Sequence, residues 1–240
     1  MVTYIIMAVI AYAIGSINFS VLISRKMAGF DVRDKGSKNA GTTNVLRSVG
    51  KKAAALTLIC DILKGVVAIV IAILIAKFVK DANKAILMEL AAFFVVVGHT
   101  FPIFFEFRGG KGVATSLGVL LVINWKIGLI CLIFAIFEMI LCRMVSLGSI
   151  SAAVLFPILT FFIRDCYLTD WSISYVIFGI AMAAFVIFNH RANVQRLMNG
   201  TENRLSFKKK VEPVVVEAQS EKVEEPLEIK VKEEKNEEGE

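Results

Sequence analysis

The sequence predicts an all-α polytopic membrane protein, with seven transmembrane helices and its motif loops gathered on the cytoplasmic side. Three observations predict it. Of 240 residues, 57% are hydrophobic and the mean hydropathy is +0.70, more apolar surface than a soluble core needs. That surface comes in several runs of about 18 or more residues, long enough to cross a hydrocarbon core of ~30 Å as helices. The polar stretches between the runs differ sharply in basic charge, which gives the chain a direction across the bilayer.

The expected spans follow in order. Residues 3–24 lack a basic leader and a small-residue cleavage site, so they read as a retained helix. Gly15, Ser16 and Asn18 in its second half suit helix packing or water contact near the surface. A polar loop at 25–52 leads to a second span at 53–79, which carries Asp61 and Lys64. A turn at 78–84 precedes a third span at 85–105, interrupted by Gly98, His99 and Pro102, and a second polar loop at 106–112 follows. Residues 113–123 reach only about 16 Å at 1.5 Å per residue, so the fourth helix is expected to extend into its flanks. A turn at 124–126 leads to the fifth span, 127–145, and a short loop at Ser146 to Ser149 to the sixth, 150–163. A turn at 164–170 precedes the seventh span, 171–189, with Trp171 as an interfacial anchor.

Seven crossings divide the loops into two sets. One holds 17 basic residues, from loops 25–52, 106–112, 143–149 and 190–210; the other holds five, Lys77, Lys80, Lys84, Lys126 and Arg164. The positive-inside rule makes the first set cytoplasmic and the N-terminus external, with the C-terminus inside. The net charge of +6 hides a second asymmetry: residues 211–240 hold 11 Glu and 4 Lys and no aromatic residue. The domain reading is a membrane body at 1–205 and a charged tail at 206–240, solvated and disordered. No basic, aromatic-interleaved soluble module exists, which excludes nucleic-acid binding. Cys60, Cys131, Cys142 and Cys166 show no metal-ligand spacing, and three of them sit in apolar runs as small apolar residues.

Three cytoplasmic stretches carry the chemistry. In GSKNAGTTNVLR (Gly36 to Arg47), Gly36 and Gly41 permit a concave run of backbone N–H groups. Ser37, Asn39, Thr42, Thr43 and Asn44 add hydrogen-bond donors, and Arg47 a charge with fork geometry for phosphate. Gly36 and Gly41 have P-loop spacing, but Thr42 stands where the lysine belongs, so ATP hydrolysis is not the reading. In Arg108 to Gly112, glycines surround Lys111 directly before a helix, a second anion-type loop. In HRANVQRLMNGTE (His190 to Glu202), His190, Asn193 and Leu197 share one helix face, and His190 is the candidate for proton transfer. Asp61 and Lys64 lie three apart on one face; an internal ion pair and direct substrate contact are both open readings. Glu89 and Glu138 have no assigned role beyond polarity within the helices.

These three motifs in order, with the DILKG stretch at Asp61 to Gly65 and the extended form GHTFPIFFEFRGGKGVAT of the second, closely resemble the PlsY family of bacterial membrane glycerol-3-phosphate acyltransferases. The resemblance covers about residues 1–205, and Lys38 departs from it where the family usually has glycine. It implies transfer of a fatty acyl group from acyl phosphate to the 1-hydroxyl of sn-glycerol 3-phosphate, at the bacterial plasma membrane, with no cofactor and no metal. By matched position it implies Ser37, Arg47 and Lys111 as phosphate ligands and Thr43 and Asn44 in the acyl-phosphate loop, with Asn39 and Gly41 among the substrate-binding residues. Gly110 and Gly112 flank the lysine, His190 and Asn193 are polar site residues, and Ser146 and Ser149 form a serine loop. A soluble enzyme that makes acyl phosphate is the implied partner, and the lipid bilayer the setting. A transporter of organic phosphates is the competing class; intramembrane Asp61 and Lys64 suit it, but the lack of an inverted repeat and the placing of the motifs on one face do not.

Overall fold

The computed structural model describes residues 1–79, 81–164 and 172–205. Trp171, Cys166 and the tail at 206–240 lie outside them, as does nearly all of the turn expected at 164–170. Ten α-helices form the described chain: α1 (Val2–Gly15), α2 (Phe19–Ala28), α3 (Thr42–Ser48), α4 (Lys51–Phe78), α5 (Lys84–Thr100), α6 (Val113–Ile123), α7 (Trp125–Cys142), α8 (Val145–Phe162), α9 (Ile173–Asn189) and α10 (Arg191–Met198). Short 3-10 turns stand at Val32–Asp34 and Ile103–Phe105.

Five stretches are long and apolar enough to cross a membrane: Val2–Ala28, Lys51–Phe78, Lys84–Phe105, Trp125–Cys142 and Val145–Phe162. A sixth is counted when α9 and α10, bent by 65° at His190, are taken together. The protein is therefore a multi-pass membrane protein, and its outer face is clad in exposed apolar side chains such as Ile5, Leu63 and Phe137. The expected extension of the fourth helix does not occur. α6 has 11 residues, about half of a hydrocarbon core at 1.5 Å per residue. Gly112 stops it at one end with φ +86. Asn124 stops it at the other, where its side chain accepts the Ile127 N–H and starts α7.

The first span, expected as one helix, is broken between α1 and α2. A break inside a bilayer frees backbone groups that must find partners. Asn18 accepts the Val21 N–H at 3.3 Å and caps α2. The Lys64 ammonium, from α4, donates to the carbonyls of Gly15 and Ile17 at 3.1 Å each. A cation at the negative end of α1 is also favoured by the helix dipole.

Close crossings fix the rest. A Cβ on Gly15 would collide with the Val95 carbonyl, and one on Gly98 with the Tyr12 carbonyl, so α1 and α5 touch backbone to backbone. Gly65 and Gly118 play the same part between α4 and α6, against Thr115 and Ile62. Such small-residue crossings are how helices gain van der Waals contact where lipid supplies no hydrophobic drive. Two further expectations are corrected. The fifth span ends at Cys142, where Arg143 takes φ +58 and stops α7. Ser146 to Ser149 is not a loop but the first turn of α8, and Ser149 Oγ donates to the Val145 carbonyl at 2.9 Å.

Candidate active site

The first loop folds around one side chain. Asn44 is 1% exposed, and its amide nitrogen donates to the carbonyls of Val32 (2.8 Å), Lys35 (3.0 Å) and Asn39 (3.0 Å). Its Oδ1 accepts the Ser37 N–H at 3.0 Å. Both ends of the amide are thus committed to the loop, and any part Asn44 has in binding goes through the loop's shape. The reversal itself uses left-handed backbone at Gly36 (φ +56) and Lys38 (φ +57). Gly41, expected as a second flexible point, is extended at φ −138 and caps α3.

Side-chain hydrogen bonds tie this loop to the elements around it. Ser20 Oγ donates to the Ala40 carbonyl at 3.0 Å. Buried Arg33 donates to the Phe105 carbonyl at 2.7 Å and pairs with Asp31 at 2.8 Å. Burial alone would raise the Asp31 carboxyl, but hydrogen bonds from the Arg33 side chain and N–H outweigh it and hold it at about 2.

The second loop folds back on the end of α5. Gly109 and Gly110 donate their N–H groups to the carbonyls of Thr100 and His99, each at 3.1 Å. A Cβ on Gly110 would strike the His99 ring and come within 2.8 Å of the Ala40 carbonyl. Glycine is therefore needed there so that the two loops can meet. Under this junction lies a buried cluster: Lys64 Nζ is 2.7 Å from His99 Nδ1 and 3.1 Å from Asp61 Oδ1. Asp61 Oδ1 is also 3.5 Å from His99 Nδ1, and the Nε2 side of the ring lies beside Gly110. Asp61 and Lys64 form the internal ion pair, and Asp61 also borders the cavity described below.

The third stretch closes the site. α9 ends at Asn189, and the chain turns at His190 into α10. His190 is 3% exposed, with Nδ1 2.8 Å from the Val186 carbonyl; a neutral ring donates from Nδ1 there and keeps its lone pair on Nε2. Asn193 Oδ1 accepts from Lys111 Nζ. Asn193 Nδ2 and Arg196 Nε each donate to Glu202, at 2.9 Å. Burial would raise the Glu202 carboxyl, but hydrogen bonds from Asn193 and Arg196 and the Arg196 charge hold it below its ordinary value. Burial, with repulsion from Arg196 and Arg47 set against attraction from Glu202, brings Lys111 down to about 8.

These parts surround a cavity of about 760 Å³. Its polar end is lined by Ser37, Asn39, Gly41, Thr43, Asn44, Arg47, Lys111, Gly112, Ser146, Ser149, His190 and Asn193. Of the site residues that the family resemblance implies, Gly110 alone is absent from that wall, and its place is the loop junction. Arg196, Glu202, Asp61 and His99 also line it. Sequence reasoning assigned no site role to Arg196 or Glu202, although a signal exists: Arg196 follows Asn193 by three on α10. Gly200, at φ +69, then turns the chain so that Glu202 comes back to both. Away from the polar end the cavity continues as an apolar shaft between α6, α7, α8 and α9, lined by Leu120, Leu132, Ala135, Ala152, Phe156 and Met182. Among the described residues no group of three or more His, Cys, Asp or Glu is placed to hold a metal ion.

A mouth lined by basic side chains and an apolar shaft are joined in one cavity of a multi-pass membrane protein. The comparisons with known proteins give the family. The model of the family "Glycerol-3-phosphate acyltransferase" matches residues 5–200, and the chain belongs to that family. The glycerol-3-phosphate acyltransferase of Clostridioides difficile is 42% identical over 207 residues, 86% of this chain and 98% of the relative. That of Fusobacterium nucleatum is 44% identical over 200 residues, 83% of this chain and 96% of the relative. Among solved structures, PlsY, an integral membrane glycerol 3-phosphate acyltransferase, in its glycerol 3-phosphate form superposes with a TM-score of 0.74 at 33% identity, over 85% of this chain and 96% of that one. Its lysophosphatidic acid form gives 0.72 at 32%, over 85% and 95%. The chain is thus an acyltransferase of the membrane, in a family of phospholipid biosynthesis.

Proposed function

We propose that the chain moves a fatty acyl group from acyl phosphate to the 1-hydroxyl of sn-glycerol 3-phosphate and releases lysophosphatidate and inorganic phosphate. The observation that carries this is the continuity of the basic mouth with the apolar shaft. An acyl phosphate has a phosphate head and a hydrocarbon chain, and the cavity offers a place to each. The glycerol-phosphate acceptor adds a second anion. Arg47 and Lys111 offset the repulsion between the two, and Ser37 with the loop around Asn44 supplies fixed donors. The acyl phosphate is already activated, so the reaction needs no cofactor and no covalent enzyme intermediate.

In this reading the glycerol hydroxyl oxygen bonds to the acyl carbon, and the carbon–oxygen bond to phosphate breaks. Phosphate leaves with that electron pair. The hydroxyl proton goes to His190 Nε2 or to a phosphate oxygen of a substrate. Holding hydroxyl and carbonyl together supplies much of the rate. A His190→Ala variant that keeps near-normal turnover while Lys111→Ala is inactive assigns the proton to phosphate; loss of both assigns it to His190.

The site faces the cytoplasm in this account, at the bacterial plasma membrane, with the N-terminus outside and the C-terminus inside. The half-length α6 counts as one of seven crossings. What supports the orientation is the basic charge of the loops that build the site. The membrane body takes residues 1–205 and the charged tail residues 206–240, and a soluble enzyme that makes acyl phosphate supplies the donor. The test uses purified protein in micelles with acyl phosphate and radiolabelled glycerol 3-phosphate. Lysophosphatidate above a boiled control is the expected result; no product, with uptake of label into sealed vesicles, overturns it in favour of transport.

A further inference from the structure

We propose that Phe156 is the floor of the apolar shaft and sets the length of acyl chain that the enzyme accepts. This rests on the acyl-transfer reading above and goes beyond it to specificity.

The shaft begins at the serine turn of α8 and runs down that helix. Phe156 lies 11 residues beyond Val145, the first residue of α8, or about 16 Å at 1.5 Å per residue. Leu120 from α6, Cys131 from α7 and Met182 from α9 line the cavity alongside it. Behind Phe156, away from the polar end, lies aromatic packing. The Phe156 ring meets Tyr175 and Phe178 edge to face, with centroids 6.4 and 6.1 Å apart. Tyr175 and Phe178 stack on each other at an interplanar angle of 16°. Neither lines the cavity, so Phe156 is the last ring that an entering chain meets. Its backing is buried: Tyr175 is 1% exposed and Phe178 6%.

The walls above the floor are small. Ala135 and Ala183 face the cavity from α7 and α9, so the lumen is kept open by missing side-chain volume. Each methylene that fits above the floor gains burial, and each one beyond it gains none, a factor of about fourfold per methylene. A ring at the bottom and alanines along the walls make a length gauge, in which floor and wall can be moved independently.

The test is a competition. The enzyme is given an equimolar mixture of acyl phosphates of graded even chain lengths with glycerol 3-phosphate, and the lysophosphatidates are resolved by mass spectrometry. Product ratios do not depend on how much of a variant is folded, so loss of stability does not confound them. Phe156→Ala is expected to shift the ratio toward longer chains, by about tenfold or more for two added methylenes. Ala183→Leu, which narrows the shaft above the floor, is expected to shift it toward shorter chains. Opposite shifts support the gauge. An unchanged profile in both variants overturns it, and means that the chain leaves sideways past the exposed Ile136 on the cavity wall. A wild-type enzyme that makes no lysophosphatidate from any acyl phosphate fails the acyl-transfer reading instead, a distinct outcome.

Discussion

Lys111 has an ordinary value of 10.5 and stands at about 8 because burial and its basic neighbours disfavour the charge. The difference corresponds to about 3 kcal/mol between its charged and neutral forms. A neutral amine cannot clamp phosphate, so kcat/KM, which reports the free enzyme, should fall with rising pH through about 8. Two substitutions move that limb in opposite directions. Arg196→Gln removes a repelling cation and should shift it to higher pH. Glu202→Gln removes the attracting anion, keeps an acceptor for Asn193, and should shift it to lower pH. Stability should run against activity. Between about pH 8 and 10.5 the unfolded chain holds the Lys111 proton and the folded one does not, so the folded state gains stability as pH rises. The gain, at most about 3 kcal/mol, is read as the difference in thermal unfolding between the wild type and Lys111→Gln. The assay is initial-rate acyl transfer from pH 6 to 10 at fixed ionic strength. A limb near pH 10, or one that both variants move the same way, refutes the reasoning.

Three further outcomes are expected. Asn44→Ala should cost about 1–3 kcal/mol by leaving loop carbonyls unpaired; Asn44→Asp, which brings a carboxylate against three carbonyls, should lower the melting temperature further, and the reverse order would contradict the role given to its amide. Lys38→Gly removes a side chain from left-handed backbone and should stabilise the protein by about 1 kcal/mol with transfer retained, measured by melting temperature and rate. Lys64→Met strands Asp61 and the carbonyls of Gly15 and Ile17 and should cost about 3–5 kcal/mol; adding Asp61→Asn should recover part of it, and a double-mutant cycle with no coupling would rule out the cluster.

The membrane class and the three motif stretches were legible because length, apolarity and loop charge follow directly from composition and order. The individual residues of the mouth came from the family resemblance: Ser37 and Lys111 stand in glycine loops, while Arg47 and Asn193 stand on the short helices α3 and α10. What the sequence hid depends on partners far along the chain. The break between α1 and α2 looks like a weak spot in one helix until Lys64, 47 residues beyond Ile17, is seen to satisfy its carbonyls. α6 ends where it does because Asn124 serves the next helix. Asn44 has the donors of a ligand, and only the fold of the loop shows where they go. The apolar shaft carries no sequence signal at all, since Ala183 and Phe156 look like any residues of a membrane helix.

The central claim is that one cavity joins an acyl phosphate to glycerol 3-phosphate. Its most direct test is the stoichiometry of a single reaction with purified protein, in which inorganic phosphate and lysophosphatidate are measured together, with an acyl thioester of the same chain as the alternative donor. The account predicts equal amounts of both products from acyl phosphate, each dependent on glycerol 3-phosphate, and none from the thioester. Lysophosphatidate made from the thioester, or phosphate released without lysophosphatidate, would contradict it.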